Sequence, residues 1–452
     1  LEYIVVLLIF LAILVLFLLK PVIGFLAFVF TSPFDYFLYN DHAGLRVKIY
    51  QVFLLAGLSA FLMMNLLSKK KIRKDRIFVI LVLYWLAGFV SLGNADSFTD
   101  ALILLTVELI SIAIYFYVLQ MTATEVRIGK TIKAIILSAN FVALLSLMQV
   151  IGYNLGFKTR VIHTDKFFFG QPVGTFYESN WLGAFAMSMS LILIGLLTSK
   201  QKYFRKGFLS VSLCLQVLVL LLSMTRGAWL GFGFGLILLV LLLPVGREKG
   251  NILRAARFAS ASAILLVTLG VGFYLVFPSI AQSVSDRVAS FKSLNLDPGS
   301  HSPEGTRVAK MARAIELIKG HPWIGCGPGQ ARLINSAFRF YDPESSTQNR
   351  GTPTSNLFLS VLFQRGLLGL SLFLAFLGLL FFKTIKTLKR ERDRLLKAVL
   401  RSLFVSFCGL FFTFMFTENH LLAFFWVQIG LIVSVLHIAG SRHVGSEDRR
   451  NG

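Results

Sequence analysis

The stretch VSLCLQVLVLLLSMTRGAWLGFGFGLILLVLLLP (211–244) sets a single arginine, Arg226, between two apolar runs. Arginine deep in hydrocarbon is costly, so Arg226 needs a partner, a water-filled cavity or a place at the membrane edge. Apolar runs of spanning length recur along all 452 residues, of which 56% are hydrophobic and only 15% charged. The mean hydropathy is +0.74. A soluble chain of this composition would leave too much apolar surface in water. The fold class is therefore an all-α polytopic membrane protein. A β-barrel would show short alternating segments instead. The first run, YIVVLLIFLAILVLFLL, lacks the basic start and cleavage site of a signal peptide and reads as the first span.

Candidate spans are 3–19, 21–39, 44–67, 77–93, 98–120, 132–155, 176–198, 209–224, 228–244, 258–277, 355–381, 402–417 and 420–440. The 21–39 segment carries Pro33 and Asp35 at its end and reads as partial or re-entrant, so 12–13 transmembrane helices are expected. The membrane domain then covers 1–277, a large and partly helical external loop 278–354, the last three spans 355–440, and a short disordered cytoplasmic tail 441–452.

The net charge of +23 would point to nucleic acid in a soluble protein. Here the basic residues fall in gaps between spans, as in KKKIRKDR (69–76) and KTIKTLKRERDRLLKAVLR (383–401). That is the positive-inside pattern, strengthened by anionic headgroups, and it argues against a nucleic-acid partner. It places 68–76, 121–131, 199–207, 245–257 and 382–401 in the cytoplasm. The loops 156–175, 225–227, 278–354 and 417–419 then face outward, and Arg226 sits at the outer end of a helix hairpin. Cys214, Cys326 and Cys408 form neither a disulfide scaffold nor a CxxC metal spacing.

Within the large loop, EGTRVAKMARAIELIKG (304–320) reads as an amphipathic helix with an apolar stripe of Val308, Met311, Ala312 and Ile315. Gly320 and Pro322 end it. GCGPGQ (325–330) follows as a tight turn whose backbone N–H groups are of the kind that cradle phosphate. Glu178 and Asn180 lie at a span entrance near the outer membrane edge.

Four segments in order carry a family likeness: GTFYESNWLGAF (174–185), SMTRGAWLG (223–231), GTRVAKMARAIELIKGHPWIGCGPGQ (305–330) and SNLFLSVLFQRGLLGL (355–370). The chain resembles the O-antigen ligase and polymerase superfamily of bacterial envelopes, and the likeness covers most of the sequence after residue 77. It implies a GT-C-like bundle in the bacterial inner membrane with its active site facing the periplasm. The implied reaction joins a polyprenyl-diphosphate-linked glycan to a hydroxyl and releases polyprenyl diphosphate. The implied partners are the lipid-linked donor and acceptor, membrane lipids, a chain-length regulator and a flippase. No Asp/Glu/His cluster has metal-ligand spacing and no Walker motif occurs, so a metal-independent enzyme without a cofactor is expected.

Arginine suits that leaving group because its planar fork binds two oxygens and stays protonated. The resemblance makes Arg226 and Arg307 the leading catalytic residues, and Glu178, from its place at a span entrance, is the leading candidate for an acceptor base. Arg313, Arg365, Asn180, Asn356, Gly327 and Gly329 are the expected substrate or diphosphate ligands. In family ligases a histidine precedes the asparagine of the last motif, where this chain has Ser355, and Gln364 and Arg365 stand where an acidic residue is expected. These departures favour a Wzy-type polymerase over a ligase. Other candidates for an acceptor base are Glu304, His321, His301, His163 and Glu418, which belongs to TENH (417–420). A transporter or flippase is the different-class alternative. It would show repeated halves, which the sequence lacks.

Overall fold

Polar residues close the apolar runs into helices. Asp75 caps the next helix by accepting from the Ile77 N–H at 3.1 Å, and Asp393 accepts from Leu395 and Leu396 at 2.9 Å each. Ser97 and Thr124 cap two more through Asp100 and Arg127. A computed structural model describes residues 2–36, 40–42, 45–68, 72–156, 171–199, 201, 203–243, 285, 303–338 and 354–451.

In chain order the elements are α1 (Glu2–Leu19), α2 (Pro21–Thr31), a two-stranded antiparallel ribbon of β1 (Asn40–His42) and β2 (Leu45–Val47), α3 (Ile49–Ser68), α4 (Arg76–Val90) and a 3-10 turn (Ser91–Asn94). There follow α5 (Phe98–Met121), α6 (Glu125–Asn154), α7 (Ser179–Thr198), α8 (Lys206–Leu222) and α9 (Arg226–Leu242). The last are α10 (Pro303–Gly320), α11 (Arg332–Asn335), α12 (Leu357–Arg390), α13 (Arg394–Thr413) and α14 (Ala423–Asn451). Among the described residues eight helices are long and apolar enough to cross a membrane, and α2, α8 and α9 are shorter apolar helices. The chain is an all-α polytopic membrane protein.

Helix α7 is the axis of the bundle. Every residue from Leu182 to Thr198 is buried, against α8, α9 and α13. Small residues allow this close approach, and hydroxyls join the helices where apolar matching alone discriminates weakly. Ser188 Oγ lies 2.7 Å from Ser406 Oγ of α13, and Gln428 of α14 donates to the Leu403 carbonyl at 2.7 Å. By contrast Leu55, Leu62, Leu66 and Leu67 of α3 are exposed, as on a lipid-facing helix.

Among the described residues, the basic connections before α4, between α5 and α6 and between α12 and α13 share one end of the bundle. Arg73 donates to the carbonyls of Leu119, Thr122 and Ala123, closing the C-terminus of α5. Arg442 pairs with Glu125 and Asp393, and Lys383 with Asp75 at 3.0 Å.

Several boundaries differ from the sequence reading. α2 has only 11 residues, a rise of roughly 16 Å against a core of about 30 Å. The segment expected to span from 44 starts instead as a strand, and α3 begins at Ile49. α6 starts at Glu125 and α12 runs to Arg390, so both extend into expected loops. α14 continues to Asn451, where a disordered tail was expected. The expected span 258–277 and much of the loop 278–354 lie outside the described residues.

Candidate functional site

Residues from separate motifs meet at the end of the bundle opposite the basic connections. α8 ends at Leu222, and after three intervening residues Arg226 opens α9 as its first helical residue. The intervening Thr225 does not cap its own helix. Its hydroxyl lies 3.3 Å from the Ser179 carbonyl and 3.5 Å from Asn180 Oδ1 in the first turn of α7. The half-buried Arg226 thus stands beside the entrance of α7, at a helix N-terminus whose dipole also favours anions.

Arg307, in the first turns of α10, comes to the same place. It is half-buried and lies within electrostatic reach of Glu178, the residue preceding α7. Burial pulls its pKa below the usual arginine range, and the Glu178 carboxylate opposes that shift. Lys310, one turn on, is also lowered by burial and then by the charge of Arg307. The structure therefore brings Arg226, Arg307, Glu178 and Asn180 around the first turn of α7.

Asn356 anchors the fourth motif to this end. Its side chain caps α12 by accepting from the Leu359 N–H at 3.1 Å, and its Nδ2 donates to the Met415 carbonyl at 3.3 Å. The Leu357 N–H donates to the Phe414 carbonyl, and Thr413 Oγ1 to the Gly227 carbonyl beside Arg226. Asn356 is thus engaged in capping and in joining α12 to α13. Among the described residues, Met224 (φ 51°) and Ser355 (φ 57°) are the two non-glycine residues with positive φ. Both flank motif residues, and strained backbone of this kind clusters at functional sites.

Arg365, Gly327 and Gly329 have other uses than the sequence reading gave them. Arg365 is fully buried inside the bundle, paired with Glu108 of α5. It also donates to the Tyr84 hydroxyl at 3.1 Å and lies 4.4 Å from that ring's centroid. It is an internally paired cation and not a surface ligand for diphosphate.

The next residue, Gly366, breaks α12 with φ 60° and ψ −159°, a conformation open essentially to glycine alone. The GCGPGQ segment repairs the break. Cys326 and Gly327 donate their N–H groups to the carbonyls of Phe363 and Gln364 at 2.7 and 3.1 Å. Leu367 and Leu368 donate to Pro322 and Trp323 at 2.8 and 3.1 Å. A Cβ on Gly325 (φ 73°) would approach the Arg365 and Gly366 nitrogens at 2.6 Å. Gly327 and Gly329 press on Ala95 and Asp100, and Gln330 brackets both backbone groups of Ser97. The turn read as a phosphate cradle is a splint that locks α12 to the α4–α5 junction.

Arg313 pairs with Glu316 on its own helix at 2.7 Å. The face of α10 packed on α12 carries Ala314, Leu317 and Ile318, whereas Ile315 of the expected stripe is exposed. Gly320 ends the helix as expected. The exposed His321 forms the turn after it, and His163 and His301 lie outside the described residues. The sequence reading missed Glu108 and Tyr84. Glu108 had a signal, because it is an acid in the middle of the span ALILLTVELISIAIYF.

The model of the family Wzy_C, O-antigen ligase, matches residues 209–374. That range holds Arg226, Arg307, Asn356 and the splint, and the match supports placing the chain in the O-antigen ligase and polymerase superfamily. It supports an enzymatic glycan-transfer function of that general type. Comparison with curated proteins finds no match.

Proposed function

We propose that the protein transfers a glycan from a polyprenyl diphosphate to a hydroxyl acceptor at the bundle end that carries Arg226 and Arg307. One observation carries this reading: residues more than 40 positions apart in sequence, from the motifs around Asn180, Arg226 and Arg307, gather around the first turn of α7. Two arginines there suit the charge that develops on a departing diphosphate, and their partial burial strengthens each contact. The Glu178 carboxylate favours the charged form of Arg307, and the N-terminus of α9 adds a favourable dipole. Charge neutralisation then falls to arginine and needs no metal. The gathering of basic connections at the opposite end supports a cytoplasmic position for that end. The transfer site then faces the periplasm of a bacterial inner membrane.

The acceptor is the finer question. Ligation to lipid A-core is the leading reading, because the matched family is described as O-antigen ligase. Polymerisation onto another lipid-linked repeat is the second, favoured by Ser355 in the place of the ligase histidine. Polyprenyl-linked donor, membrane lipids, a flippase and, for a polymerase, a chain-length regulator are the corresponding partners. Reconstitution with a lipid-linked repeat, with and without lipid A-core, separates the readings. Transfer that requires lipid A-core is the expected result. Ladders without it would establish polymerisation, and no transfer in either arm would overturn both.

A further inference from the structure

The segment 414–422 between α13 and α14 carries an acid that the arginine clamp does not use. It starts beside Arg226, since a Cβ on Gly227 would lie 3.3 Å from Phe416 Cβ. Two residues later Glu418 is 6% exposed and lines a cavity of about 720 Å³. That volume is within the range of ligand sites and far above that of a single water. Glu108, Trp181, Gln364, Asn419 and His420 also line it, and Trp181 follows Asn180 in the first turn of α7. Glu418 Oε2, Asn419 Nδ2 and His420 Nδ1 have no hydrogen-bond partner in the protein. Three orphaned polar atoms on one short segment, against a roomy cavity, are an arrangement that a polar ligand would complete.

We propose that this cavity seats the acceptor sugar and that Glu418 is the general base for its hydroxyl. The inference rests on the glycan-transfer reading above. The acceptor oxygen forms a bond to the anomeric carbon of the donor. The bond from that carbon to the diphosphate oxygen breaks, and its electron pair leaves with the polyprenyl diphosphate. The hydroxyl proton passes to the Glu418 carboxylate. Glu178 is less suited, because it lies within electrostatic reach of the Arg307 charge.

Burial pushes the Glu418 carboxyl up to about 8, opposed by a hydrogen bond from Ser360. A carboxylate so raised is a stronger proton acceptor near neutrality. Burial and the Arg365 charge push His420 down to about 3, leaving its ring neutral. The other ionisable groups on this side are Glu108 of α5, paired with Arg365 of α12; Asp35, paired with Lys48; Tyr50 of α3; and Tyr84 of α4.

The test is transfer by the full chain in proteoliposomes, at pH values bracketing 8, beside retention of a labelled lipid-linked donor. The wild-type rate should rise with pH and level off above about 8, as Glu418 ionises. Glu418→Gln should lose on the order of 10²–10⁴-fold in rate with donor retention unchanged. Glu418→Asp should recover part of the rate with a displaced pH limb. A wild-type rate and limb in Glu418→Gln would overturn the assignment, as would loss of donor retention in parallel with rate. If Glu418→Gln does not fold, an unmoved limb in Glu418→Asp overturns it. Absence of transfer by the wild-type protein defeats the underlying function instead.

Discussion

Arg365 and Arg226 both interrupt apolar sequence, yet their surroundings treat the charge in opposite ways. Arg365 is sealed inside the bundle, with Glu108 and Tyr84 taking its guanidinium and the GCGPGQ splint holding the broken helix beside it. Arg226 stands half-buried at a helix N-terminus, with a second arginine, Arg307, at the same turn of α7. The first region neutralises its cation internally. The second gathers two arginines and a helix dipole beside the Glu178 carboxylate. Two arginines with equally apolar flanks thus differ in the company they keep and not in the hydropathy of those flanks.

Four single substitutions sharpen that contrast. Glu108→Ala should destabilise the fold by about 3–5 kcal/mol, because it leaves Arg365 buried and unpaired. Thermal unfolding in detergent checks this, and the Glu108→Leu/Arg365→Leu pair should be milder than the single change. A near-normal melting temperature for Glu108→Ala would mean that Arg365 is not held by its ion pair. Next, Arg226→Ala and Arg307→Ala should each lower glycan transfer by about 10²–10³-fold, the usual loss when a fixed donor to developing charge is removed. Their melting temperatures should stay close to wild type. Parallel losses of stability and rate would move both arginines into the structural class. The smallest effect belongs to Asn356→Ala, about 1 kcal/mol for a lost helix cap, with the rate of the folded fraction preserved. A large rate loss in fully folded protein would return Asn356 to the substrate.

Much of this molecule was legible in the sequence. The α8–α9 hairpin with Arg226 at its turn follows from two apolar runs separated by a polar pause. The end of α10 at Gly320 follows from a glycine close to a proline, and the sharing of one end by basic connections follows from their spacing between spans. The roles of the GCGPGQ glycines were not legible. A run of glycines states that the backbone is unusual but not what it touches. Here it touches α12, whose break at Gly366 leaves carbonyls and N–H groups that only a distant segment can satisfy. The buried face of α10 was misread for a related reason. Helical periodicity offers several stripes, and the contacts with α12 and the splint select Ala314 and Ile318.

The sequence by itself therefore determined the solvent: its composition and run lengths admit a helical membrane bundle, because lipid requires every backbone group to be satisfied within each segment. It also determined where charge is affordable, at the ends of the runs. Which charges cancel and which remain poised was decided only by tertiary structure. Glu108 meets Arg365 across 257 positions of sequence, and Arg307 meets Glu178 across the fold. Electrostatic energy depends on distance and burial, and neither is a property of sequence neighbours.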